Sequence, residues 1–208
     1  MKNYHRLFLL IASAAIGALL TGCLLRPANV TTRQFVLTPA ASASQPRTAE
    51  TFAIGLGAVK MPEYLLRSSL AVRKSELEVE YLDNAAWAER LDQSFQRVLA
   101  ANLAQQLPGS RIQRSTWLNS QVTLAVFVSA ERFDVDAQGK GTLLANWRIE
   151  TPDGRQVLKD GVTSLNQAGA SPNQRPEIIA ATLSELTAQF SEALARAIRE
   201  CASKAPAH

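Results

Sequence analysis

Histidine is nearly missing from this sequence. The chain holds two, His5 and His208, one near each end, so no Ser/His/Asp or Cys/His catalytic set can be assembled inside a folded body. Cysteine is equally scarce, with Cys23 and Cys201 alone, which excludes a zinc or transition-metal centre built from Cys and His. The glycines of residues 54–59, IGLGAV, are not followed by a G-x-G-x-x-G fingerprint, and no Walker sequence occurs. That removes the common nucleotide sites. No basic run is interleaved with aromatic residues in the way nucleic-acid binding requires. No apolar run follows the first one, at residues 7–20, so the body of the chain is expected to be a soluble domain. No catalytic residues, no metal and no cofactor are expected, and the chain reads as a non-enzyme.

The N-terminus carries the clearest signal. Lys2 and Arg6 precede an uncharged apolar run over residues 7–20, and small residues lead to Cys23 in the sequence LTGC at 20–23. This is the three-part layout of an export signal, and the run is shorter than the roughly 20 residues of a spanning helix. The segment resembles a bacterial lipoprotein signal. The resemblance implies that the Cys23 thiol is alkylated by a diacylglyceryl group, that cleavage falls just before it, and that the new N-terminus is acylated. Several acyl chains hold a protein at a bilayer far more firmly than one. Leu24 follows the cysteine; the absence of aspartate there points, by the lipoprotein sorting rule, to the outer membrane facing the periplasm. With the signal removed, the excess of basic over acidic residues shrinks and the mature chain is close to neutral. Cys201 then stands alone, on the apolar stripe of a helix, where packing is its expected role.

The organisation expected is a signal peptide over 1–22, a lipidated N-terminus and tether with a short strand over 23–50, one globular domain over 51–201 and a disordered tail over 202–208. The Ala-, Ser-, Thr- and Pro-rich composition of residues 24–50 suggests the tether, interrupted by alternation at Phe35 and Leu37. Strands are expected over 51–60, 69–73 and 77–81, the last from Leu77, Val79 and Tyr81 alternating with Glu78 and Glu80. Asn84 is placed to cap a long helix on which Trp87, Leu91, Phe95, Val98, Leu99 and Leu103 recur at three and four residues, ended by Pro108 and Gly109. A three-strand meander follows over 122–135, 143–150 and 156–165, with turns at DAQGKG and Pro152 to Gly154. Pro176 opens a second helix reaching Cys201, with Ile179, Leu183, Leu186, Phe190, Leu194 and Ile198 on its apolar side. Two one-faced helices among strands give an α/β or α+β sandwich, one mixed sheet with the helices packed on it.

Few residues offer chemistry. Glu78 and Glu80 would sit on an exposed strand face, and Asp134 and Asp136 near Gly139 belong to a hairpin without the calcium-loop pattern. The segment 61–70, MPEYLLRSSL, brings Met61, Pro62, Tyr64, Leu65 and Arg67 together. So much apolar surface in a loop must dock on the core or on a partner, and these residues are the candidate partner contacts.

Phe35 to Leu37, the GLGAVKMPEYLLR segment with Pro62, Leu65 and Arg67, WAERL at 87–91 opening the first helix, RFD at 132–134 and the Trp147 strand come in a familiar order. In that order, together with LTGC, the chain resembles the auxiliary lipoproteins of ABC-type and paraquat-inducible transport systems, the PqiC/YmbA group. The resemblance implies a non-catalytic subunit working with an inner-membrane transport subunit and with a periplasm-spanning MCE-domain protein that carries lipid between membranes, supporting membrane integrity. A homo-oligomeric ring would suit a docking collar. The alternative of a different class is an outer-membrane lipoprotein that regulates a peptidoglycan synthase.

Overall fold

The computed structural model describes residues 31–41, 52–172 and 175–202. The signal segment with Cys23, most of the tether and the tail from residue 203 lie outside the described residues. The order of elements is β1 Arg33–Phe35, β2 Ala53–Leu56, β3 Ser69–Arg73, β4 Val79–Trp87, α1 Leu91–Gln106, β5 Arg111–Arg114, β6 Leu124–Asp136, β7 Gly141–Glu150, β8 Val157–Gln167 and α2 Glu177–Ala202. The architecture is the α/β one expected: a mixed eight-stranded sheet with two helices.

The central strand is β6. One of its edges carries β7 and then β8, both antiparallel, which is the expected meander. Its other edge is shared: Ile54 to Leu56 of β2 pair in parallel with Leu124 to Val126, while Val72 and Arg73 of β3 pair in parallel with Val135 and Asp136. Beyond β2 lies β5, and beyond β3 lie β4 and then β1. The turn between β6 and β7 forms because the Asp136 carboxylate accepts the amides of Gln138 and Lys140 and because Gly139 takes φ +91°, a conformation that glycine adopts without steric cost.

Alternation along β6 and β7 gives the sheet two faces. Val126, Val128, Ala130, Phe133 and Val135, with Leu143, Ala145 and Ile149 opposite, are buried beneath the helices. There the Phe95 ring of α1 meets Phe133 edge-on at a centroid distance of 5.0 Å and Phe190 of α2 at 6.0 Å. Cys201 is buried at the end of the same helical stripe.

Two expectations are corrected. The first helix does not start at an Asn84 cap: Asn84 and Trp87 belong to β4, and helix begins at Leu91. Ala85 to Trp87 pair in parallel with Arg33 to Phe35, and the Trp87 amide donates to the Ser68 carbonyl, so strand partners far away in sequence outweigh the helical spacing of Trp87. Leu77 is not in a strand but in the turn before β4, fully exposed. β1, upstream of residue 51, pairs with β4 in the same sheet. After β1 the chain runs as a strap over the helices: the amides of Leu37, Thr38 and Ala40 donate to Ser94 Oγ of α1, Ser184 Oγ of α2 and Asn102 Oδ1 of α1.

Candidate docking site

The loop between β2 and β3 contains one turn of 3₁₀ helix, Glu63–Leu65, begun by Pro62 and closed by the Leu65 and Leu66 amides donating to the Pro62 and Glu63 carbonyls. Its side chains divide sharply. Leu65, one of the candidate partner contacts, is 4% exposed and joins the core. Met61 and Pro62 are half-buried, Met61 against the core. Arg67 is exposed, with its guanidinium 4.8 Å above the Tyr81 ring.

Tyr64 is the anchor of the loop. Its hydroxyl donates to Asp134 Oδ2 at 3.2 Å and accepts from Arg73 at 3.0 Å, while its carbonyl accepts the Tyr81 hydroxyl at 3.0 Å. Asp134, 2% exposed, also receives Arg73 Nε at 2.7 Å and Arg132 Nε at 3.0 Å. A buried carboxylate thus serves two guanidiniums and a phenol, so the charged groups compensate one another. Burial, and next the neighbouring Asp134 carboxylate, push the Tyr64 phenol above its ordinary range; the hydrogen bond to Asp134 is the largest influence raising Arg73. The arrangement holds the loop on the sheet face away from the helices.

The other carboxylates are dispersed. Glu80 is exposed and pairs with Lys74 at 2.5 Å; through its register partner Val72 it lies on the helix side of the sheet, opposite to Asp134. Glu78 is exposed in the turn before β4. No paired-carboxylate site forms from these three. Asp136 is used by its own turn, and among the described residues no group of three or more His, Cys, Asp and Glu side chains could hold a metal ion.

The glycines of IGLGAV have a packing role. A Cβ on Gly55 would lie 2.4 Å from the Trp117 ring, and one on Gly57 would lie 2.7 Å from Phe127. Both aromatics sit on the face away from the helices, where Arg148 stacks 5.0 Å over Phe127. The Tyr64, Arg73, Arg132 and Asp134 junction was not recognised from sequence. Its only local sign is the spacing of Arg132 and Asp134, two apart in a strand and hence on one face.

The family model for the ABC-type transport auxiliary lipoprotein component matches residues 35–195. The chain belongs to this family. Among curated relatives, the intermembrane transport lipoprotein PqiC of Escherichia coli K12 is 32% identical over 91 residues, 44% of this chain and 48% of that protein, and PqiC of Shigella flexneri matches to the same extent. The chain thus spans about half the length of the curated relatives it matches. A crystal structure from Xanthomonas campestris superposes with a TM-score of 0.69 at 11% identity, covering 83% of this chain and 98% of that one. The crystal structure of an uncharacterized protein gives 0.64 at 23% identity, with 81% and 99% covered. These two share the fold. This chain is accordingly an ABC-type transport auxiliary lipoprotein component by family, and among its described residues no helix is long and apolar enough to cross a membrane.

Proposed function

We propose that this auxiliary lipoprotein is anchored by lipid on Cys23 in the outer membrane, faces the periplasm, and docks the periplasm-spanning MCE-domain protein of an intermembrane lipid transport system. The inner-membrane transport subunit lies at the far end of the same conduit, and the assembly supports membrane integrity. The observation that carries this reading is the family match over residues 35–195, downstream of a segment that ends in LTGC. No cofactor is needed besides the covalent lipid. The accessible loop residues Met61, Pro62 and Arg67, with the edge of Tyr64, are the proposed contact.

The test is affinity purification of the tagged chain after crosslinking in cells. The MCE-domain protein is expected among the captured proteins, and Arg67→Glu is expected to reduce its recovery without lowering the melting temperature. Repeated capture without any MCE or ABC component, together with an intact outer-membrane barrier on deletion, would sink the proposal.

A further inference from the structure

Among the described residues the sheet ends on a long unpaired edge. β8 spans Val157–Gln167, eleven residues, and among the described residues it pairs with β7 alone. The other terminal strands, β1 and β5, have three and four residues. Unpaired N–H and C=O groups along a strand are a template for another strand, and proteins usually blunt such an edge with proline, bulges or charge. β8 has no proline, its register shift lies at its start opposite Ile149 and Glu150, and residues 161–167 carry no charge.

Its side chains specify what would pair. Register partners Glu150, Arg148 and Asn146 place Val157, Asp160 and Val162 on the sheet face away from the helices. Val157 is 52% and Val162 66% exposed, and the exposed Asp160 between them has no ion-pair partner among the described residues. Its cross-strand neighbour Arg148 turns instead to Glu150 at 3.0 Å and to the Phe127 ring. A bare carboxylate bracketed by two bare valines matches a strand that carries a cation between apolar side chains.

We propose that β8 adds an extended segment of a partner protein as a ninth strand, with a lysine or arginine opposite Asp160 and apolar residues two positions to either side. A second copy of this chain fits poorly. The same face of its β8 offers Val157, Asp160, Val162, Ser164 and Asn166, with no cation. Its β1 and β5 are too short to cover eleven residues, and the stretch of β4 not paired to β1 brings Glu80 and Asp83. The inference deepens the docking role proposed above and rests on it only for the identity of the partner.

The test uses the full-length lipoprotein in detergent and a labelled nine-residue peptide. The peptide has lysine at its centre, valine two positions to either side and threonine or glutamine elsewhere, and it reads alike in both directions, so strand orientation is not presupposed. Its twin has glutamate at the centre. The expected result is about fivefold tighter binding of the lysine peptide, loss of the preference in Asp160→Asn, reversal in Asp160→Lys, and slowed hydrogen exchange confined to residues 157–167. Binding of neither peptide, a preference indifferent to these substitutions, or protection elsewhere would overturn the edge site while leaving the copurification result untouched. So would protection of β8 that appears without peptide and grows with protein concentration, since that is pairing between copies.

Discussion

The Tyr64 phenol donates to the Asp134 carboxylate at 3.2 Å, joining residues 70 apart in sequence. This contact turns the loop after β2 into part of the fold, so substitution of Tyr64 reads out stability before it reads out docking. Tyr64→Phe is expected to cost about 1 kcal/mol, the net value of one hydrogen bond. Asp134→Ala leaves two guanidiniums facing each other without their anion and is expected to cost about 3–5 kcal/mol. Chemical denaturation of both variants checks the order; equal, negligible losses would show that the junction is not structural.

The same junction sets an alkaline limit. The folded-state Tyr64 value is raised, by burial first and then by Asp134, above its ordinary 10.0. The folded state therefore holds that proton more tightly than the unfolded chain. The associated stability is fully present below the unfolded value and is lost as pH rises through the folded one. The melting-temperature gap between the natural chain and Tyr64→Phe is expected to narrow as pH rises above about 10. A gap that widened over this range would contradict the assignment.

Gly55 and Gly57 are predicted to be intolerant of side chains for steric reasons alone. Gly55→Ala forces its Cβ against Trp117, where only 2.4 Å is available, and is expected to cost about 1–3 kcal/mol, the usual cost of overpacking. Trp117→Ala in the same chain removes the clash. A double-mutant cycle should then show the two losses to be less than additive, whereas strict additivity would mean that the glycine serves something else.

The strap from β1 depends on Asn102, which is 1% exposed, accepts the Ala40 amide at 3.0 Å and donates to Ser191 Oγ at 3.2 Å. Asn102→Ala should leave buried polar groups unpaired at about 1–3 kcal/mol and speed hydrogen exchange at Ala40. Unchanged exchange there would show that the strap is held by other contacts.

Those parts of the fold that rest on local pattern were legible in the sequence. Val122, Leu124, Val126 and Val128 alternate and DAQGKG supplies a turn, so the meander could be written down; the Ile179 to Ile198 stripe similarly announced α2. Trp87 misled because its spacing to Leu91 and Phe95 suits a helix, while its actual state is set by β1 more than fifty residues upstream. β5 was invisible for a related reason: RIQR has a single apolar residue, and its strand state comes from parallel pairing with β2. Of the candidate site, the loop residues were visible by composition, but their junction was not. Tyr64, Arg73 and Asp134 meet only because β3 lies parallel to β6, a long-range fact that no window of sequence contains.

Lipid on Cys23 is proposed to fix this domain to the outer membrane. This anchoring is tested most directly by density-gradient fractionation of cells that make the natural chain or Cys23→Ser. The natural chain is expected in the outer-membrane fraction, and the variant outside that fraction with an unchanged melting temperature. A folded Cys23→Ser chain that still sediments with the outer membrane would contradict the account.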